Sequence, residues 1–140
     1  MRVTVDVGSA IDVAALTVRR GGRVVLDSLS CRIAPASVTG LLGPSGSGKT
    51  TLMRSIVGVQ RIAAGTVSVF GLPAGSPELR ARTGYMTQSV SIYDDLTVAE
   101  NVRYFATVAG AGRTAVARTI DEVGLAGAAR QLVHTLSGGQ

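Results

Sequence analysis

Hydrophobic and polar residues alternate from the start of the chain: Val3, Val5 and Val7 stand against Thr4 and Asp6, and Ile11 and Val13 continue the pattern. A two-residue period is that of a strand with one buried face. Gly21-Gly22 interrupts the run before Val24 to Leu26, so this opening is expected to fold as a small antiparallel sheet of hairpins. Val38 to Leu42 is nearly all apolar and ends at a glycine, which predicts a central strand covered on both faces. The period then changes. Leu52, Met53, Ile56 and Val57 form a helical stripe beginning at Lys49 and ending at Gly58, and Val67 and Val69 restore strand alternation between Gly65 and Gly71. Gly71 to Pro77 reads as a connecting loop.

Beyond Leu96 helical signals dominate. Thr97 and Glu100 have capping-box spacing, and Val98, Val102, Phe105, Ala106 and Ala109 line one face. A second amphipathic stretch carries Val116, Ile120 and Val123 and stops near Gly124. The reading is an α/β chain in three parts: antiparallel hairpins, a strand-loop-helix unit and a helical segment. Its division is expected as a β-rich core over 1–90 and a helical subdomain over 91–140.

Composition changes this picture only in places. A hydrophobic share of 46% over 140 residues supports a core and argues against disorder. The formal charge of +5 raises the question of polyanions, yet the basic residues are thirteen arginines, scattered singly or in pairs, and one lysine. Nucleic acid is therefore not expected as a partner. The lone Cys31, beside Leu29 and Ile33, excludes an internal disulfide and reads as a small core filler. Asp6, Gly8 and Asp12 break the opening, so no secretory or membrane-spanning run is apparent and the chain is expected to be cytosolic.

The one lysine stands in Gly43-Pro44-Ser45-Gly46-Ser47-Gly48-Lys49-Thr50, which fits G-x-x-x-x-G-K-[ST] between an expected strand and an expected helix. Glycines there let backbone N–H groups converge on one phosphate chain, and the helix start adds its positive dipole end. Lys49 is expected at the terminal phosphates and the Thr50 hydroxyl on Mg²⁺, with Thr51 completing the loop's contacts. ATP and Mg²⁺ are thus the expected ligands. A phosphate loop fixes the ligand class and leaves the task open.

Leu136-Ser137-Gly138-Gly139-Gln140 narrows the task, because it resembles the LSGGQ signature of the ABC family and follows a helical insert, in that family's usual order. The resemblance covers essentially all 140 residues. It implies a P-loop NTPase fold of ABC type and a transport-coupled ATPase activity. In that family two ATPase domains meet head to tail, and the signature of one closes over the other's nucleotide. Ser137, Gly138, Gly139 and Gln140 are the residues carried over. Tyr85-Met86-Thr87-Gln88 resembles the Q-loop, which implies contact of Gln88 with the metal and attacking water and a catalytic role for Gln88 beside Lys49. Tyr93 to Val102 is similar to the multidrug-exporter branch, which implies export of a small molecule through a transmembrane permease, the ATPase lying on the inner face of the cell membrane.

Two departures stand out. Where the family commonly stacks an aromatic residue on adenine, this chain has Arg20, whose guanidinium can also lie flat on a base. The sequence also stops at Gln140, ahead of the strand whose Asp and Glu the family uses and of the later histidine; His134 precedes the signature and reads as a surface residue. On that basis the polypeptide alone is expected to fold with poor cooperativity and to turn over ATP inefficiently. Two other readings are a soluble ABC-type ATPase acting on nucleic acid or ribosomes, and an inactive truncated fragment.

Overall fold

The computed structural model describes residues 8–87 and 91–137. The chain forms two compact units, Met1–Thr83 and Gly84–Gln140.

In the first unit, β1 (Ile11–Arg20) and β2 (Arg23–Ile33) form an antiparallel hairpin. Gly21 and Gly22 both have positive φ, 53° and 78°, which the tight turn between two right-twisted strands demands. β3 (Ala64–Val69) pairs with the other edge of β1, and the two-residue β4 (Leu72–Pro73) pairs with β3, giving the order β2-β1-β3-β4. The alternation expected from the sequence holds in β3, where Val67 and Val69 are buried. In β1 it is broken once. Val13, Leu16 and Val18 are the buried residues, because the register shifts between Val13 and Leu16 and Ala15 takes a φ of 47°. A bulge of one residue moves the inward face from odd to even positions. Gly65 fits against this bulge with φ 84°, and a Cβ there would lie 2.3 Å from the Ala15 carbonyl oxygen.

The helix α1 (Lys49–Val57) lies between β2 and β3 in sequence and is closed by Gly58, whose N–H donates to the Arg54 and Ser55 carbonyls. Leu52 joins Val13, Leu16, Val18, Leu26 and Val67 in the core, with Ile56, Leu29 and Cys31 packed against it. Thr51 and Ser55 share the buried face, whereas Met53, assigned to the stripe by its spacing, is exposed. Cys31 is half-buried, and burial first and the Asp12 carboxylate second raise its thiol pKa, as a filler's would be.

The strand expected at Val38 to Leu42 is not formed. These residues have no regular structure, and Val38 and Leu42 are almost fully exposed. After Ile33 the chain turns at Pro35, with the Ser37 hydroxyl donating to the Ala34 carbonyl at 2.6 Å. The described sheet is antiparallel, and none of its strands offers this segment a ladder, so its apolar content alone cannot hold it extended. The strands expected at Val3 to Val7 lie outside the described residues.

The second unit holds α2 (Val98–Val108) and α3 (Arg113–Glu122). The capping box expected from Thr97 and Glu100 is present: the Glu100 N–H donates to Thr97 Oγ1 at 3.2 Å, and the Thr97 N–H donates to Glu100 Oε2 at 2.9 Å. Val98 and Ile120 are buried, while Phe105 and Val123 are exposed. Phe105 instead joins a surface cluster with Tyr104 and Tyr93. A hydrogen bond with Tyr104 raises the Tyr93 phenol pKa. Residues 129–134 run antiparallel beside 94–99, and the Val98 and Ala99 N–H groups donate to the Gln131 and Ala129 carbonyls. Among the described residues no helix is long and apolar enough to cross a membrane.

Candidate functional site: a glycine loop around one ammonium

Residues 43–48 curl into an open loop that runs directly into α1. Gly43, Gly46 and Gly48 all have positive φ. Gly48 is the most constrained of the three. At φ 92° a side chain is strained, and a Cβ would sit 2.7 Å from Leu26 Cδ2 and 3.2 Å from the Val25 carbonyl oxygen. Val25 has no partner in the β1–β2 register, which shifts between Val18↔Leu26 and Arg19↔Val24. The start of α1 is thus seated on an irregularity of β2, and only glycine lets the two backbones approach.

The Lys49 side chain folds back into the loop. Its ammonium donates to the Pro44 carbonyl at 2.6 Å, the Gly43 carbonyl at 2.7 Å and Ser47 Oγ at 3.3 Å. Among the described residues no carboxylate forms an ion pair with it; the ion pairs found are Arg32–Asp12 and Arg118–Glu122. The ladder of α1 opens with the Leu52 N–H donating to the Gly48 carbonyl at 2.9 Å, so the N–H groups of Lys49, Thr50 and Thr51 precede it. No side chain caps this end, and no acidic residue stands in its first turn. The loop therefore concentrates one full positive charge, a helix-dipole end and hydroxyl and N–H donors, which is the chemistry of an anion cradle. Ser45 and Ser47 are exposed within it, and Thr50 is half-buried at the helix start.

Arg20 lies at the hairpin tip, paired with Arg23 across the Gly21-Gly22 turn and exposed. Arg23 is two residues from Val25, about 7 Å along the strand at the usual rise per residue from the place where Gly48 packs. The hairpin tip and the loop are hence neighbours within one unit, which sequence spacing does not reveal. By contrast, the cavity of about 370 Å³ beside β3 is lined by Ser55, Gln60, Thr66, Ser68 and other uncharged residues and offers no such electrostatics.

Ser137 belongs to the second unit, where it is exposed and follows the short 3₁₀ turn Val133–Thr135. Gln88, Gly138, Gly139 and Gln140 lie outside the described residues. His134 is exposed, as expected, and its Nδ1 lies 2.9 Å from the Asp94 carbonyl. That oxygen can only accept, so Nδ1 carries the proton. Sequence reasoning passed over Asn101, which is buried with four polar contacts; an asparagine inside a helical stripe looks like any solvated amide until its partners are known.

Comparison with known proteins bears on the fold and the family. The chain is similar to a solved structure described as the ATP-binding subunit of an ABC transporter, with a TM-score of 0.80 over 94% of this chain and 57% of that one, at 23% identity. That likeness bears on the fold. In sequence it is 39% identical to an Fe(3+) ions import ATP-binding protein of Streptomyces coelicolor over 94% of this chain and 39% of that protein. It is 40% identical to an aliphatic sulfonates import ATP-binding protein of Burkholderia lata over 85% of this chain and 43% of that protein. It is 38% identical to a Nod factor export ATP-binding protein of Paraburkholderia xenovorans over 85% and 41%. The chain thus spans less than half the length of these relatives. The family model described as ABC transporter matches residues 26–140, from within β2 through the glycine loop to Gln140, and the chain belongs to the ABC transporter family as an ATP-binding domain.

Proposed function

We propose that this chain is the nucleotide-binding part of a transport ATPase, with the triphosphate of ATP held by the loop from Gly43 to Thr51. The observation that carries the reading is the Lys49 ammonium, enclosed by loop oxygens at a helix start with no carboxylate beside it among the described residues. An ammonium has three N–H donors, and the loop takes all three; a phosphate oxygen replaces one of these partners with a charged acceptor, the stronger bond. The donor set fits a polyphosphate and not a bare cation. Mg²⁺, when bound, neutralises phosphate charge. Thr50 and Gln88 are its assigned protein ligands, and no group of three or more His, Cys, Asp or Glu side chains among the described residues forms a separate metal site.

In this reading Lys49 and Gln88 act in hydrolysis, Arg20 lies against the adenine, and Ser137 to Gln140 close over the nucleotide of a second ATPase domain. A transmembrane permease is the second partner, and the chain works on the inner face of the membrane. Binding and hydrolysis do transport work through the different affinities of the open and closed dimer for ATP. The similarity of Tyr93 to Val102 to the multidrug-exporter branch supports export. The iron and sulfonate relatives, both named for import, favour the opposite direction.

The test is retention of labelled ATP with Mg²⁺ by the chain and by its Lys49→Ala variant. Retention is expected in the first and is expected to fall at least about a hundredfold in the second, the loss of charge-assisted bonds to two phosphates. Equal retention would refute the assignment of the loop.

A further inference from the structure

We infer that Asn101 is the positioning residue of the signature segment, an assignment that rests on the proposed role of Ser137. Asn101 is 4% exposed in the first turns of α2. Its Oδ1 accepts the Tyr93 N–H at 2.9 Å, and its Nδ2 donates to the Tyr93 carbonyl at 2.8 Å and the Thr97 carbonyl at 3.2 Å, with the Leu96 carbonyl at 3.5 Å. One side-chain amide therefore takes both backbone groups of Tyr93, as a neighbouring strand would. It closes the irregular stretch 93–97 into a fixed shape ahead of the helix. A buried amide with its hydrogen-bonding capacity filled specifies one conformation, because any other leaves polar groups unsatisfied.

The carbonyls of that stretch in turn hold the chain that leads to the signature. Leu96 accepts the Val133 N–H at 3.0 Å, and Asp94 accepts both the His134 N–H at 3.2 Å and the His134 Nδ1–H at 2.9 Å. Thr97 pairs with Leu132, and the Leu136 N–H closes on the Val133 carbonyl at 3.0 Å. Ser137 follows directly. Its backbone is placed by a relay of two layers: Asn101 fixes Tyr93 to Thr97, and Asp94 and Leu96 fix Val133 and His134. The relay lies within the second unit, and the glycine loop belongs to the first. In this proposal Asn101 acts on the backbone that leads to Ser137, and the hold on ATP within its own domain is left to the glycine loop.

Amide hydrogen exchange on the complete subunit tests the relay directly. Asn101→Ala is expected to raise exchange about tenfold or more in both 91–97 and 131–137, the consequence of removing several buried hydrogen bonds. A rise confined to 91–97 overturns the proposal. Should that variant unfold the helical unit, His134→Ala, at an exposed position, weakens the relay from its other end by removing the imidazole bond to the Asp94 carbonyl. It is expected to raise exchange at Tyr93 as well as at 133–136, and unchanged exchange at Tyr93 overturns the proposal. In the complete subunit assembled with its partners, Asn101→Ala is expected to lower kcat about tenfold while KM for ATP stays within about twofold. A parallel rise in KM would overturn the separation of roles. Lys49→Ala measured alongside keeps the two ideas apart, since ATP retention by that variant would refute the loop assignment while leaving the exchange relay standing.

Discussion

At the scale of single residues, the site is made by what is absent from side chains as much as by what is present. Gly48 lets the start of α1 rest on Val25 and Leu26, and Lys49 folds its ammonium back onto the Gly43 and Pro44 carbonyls. The motif was readable in sequence because its spacing is dictated by the loop's own backbone. Arg20 is a different case. Its position at a hairpin tip close to the loop depends on the register of β1 with β2 and on the seat of α1 upon β2. A guanidinium stacked on an exposed base contributes about 0.5–1 kcal/mol, so Arg20→Ala is expected to weaken ATP binding about two- to fivefold by titration. Unchanged affinity would show that the base lies elsewhere. Arg23, directly across the turn, brings a second positive charge to the same face, where like charges repel unless an anion or a π surface shares them.

Secondary-structure elements show where local pattern suffices. The capping box of α2 was readable because Thr97 and Glu100 interact through one helical turn and need nothing else. Hydrogen bonds from the Thr97 hydroxyl first and the Thr97 N–H second, together with Arg103, hold the Glu100 pKa below its ordinary value of 4.5. A carboxylate with a lowered folded-state pKa contributes stability in full above its unfolded value, and the contribution is lost as pH falls through the folded one. Stability of the helical unit is therefore expected to decline as pH drops below about 4.5, its ordinary value. Glu100→Gln is expected to flatten that acid limb, and Thr97→Ala to cost about 1 kcal/mol at neutral pH. Helical circular dichroism against pH checks both, and an unaltered acid limb in Glu100→Gln would remove the box from the account. The segment Val38 to Leu42 marks the opposite limit. Its composition is right for a buried strand, but a strand is a relation between segments, and the described sheet supplies no partner.

For the molecule as a whole, the division puts the glycine loop in one unit and the segment that leads to Ser137 in the other. The direction of transport belongs to this scale, since relatives named for import and for export match the chain comparably. Inside-out vesicles carrying the complete transporter are expected to accumulate its substrate on addition of ATP if export is the task. Accumulation only in right-side-out vesicles loaded with ATP would establish import instead. The sequence by itself determined the family and the local signatures of turn, cap and helix end, because each depends on residues a few positions apart. Tertiary structure decided which alternations point inward, where the bulge at Ala15 reverses the face of β1, that Met53 and Phe105 stay outside, and that Asn101 lies at the centre of a hydrogen-bonded clasp. Those outcomes depend on partners distant in sequence, and periodicity carries no record of which partner a residue will meet.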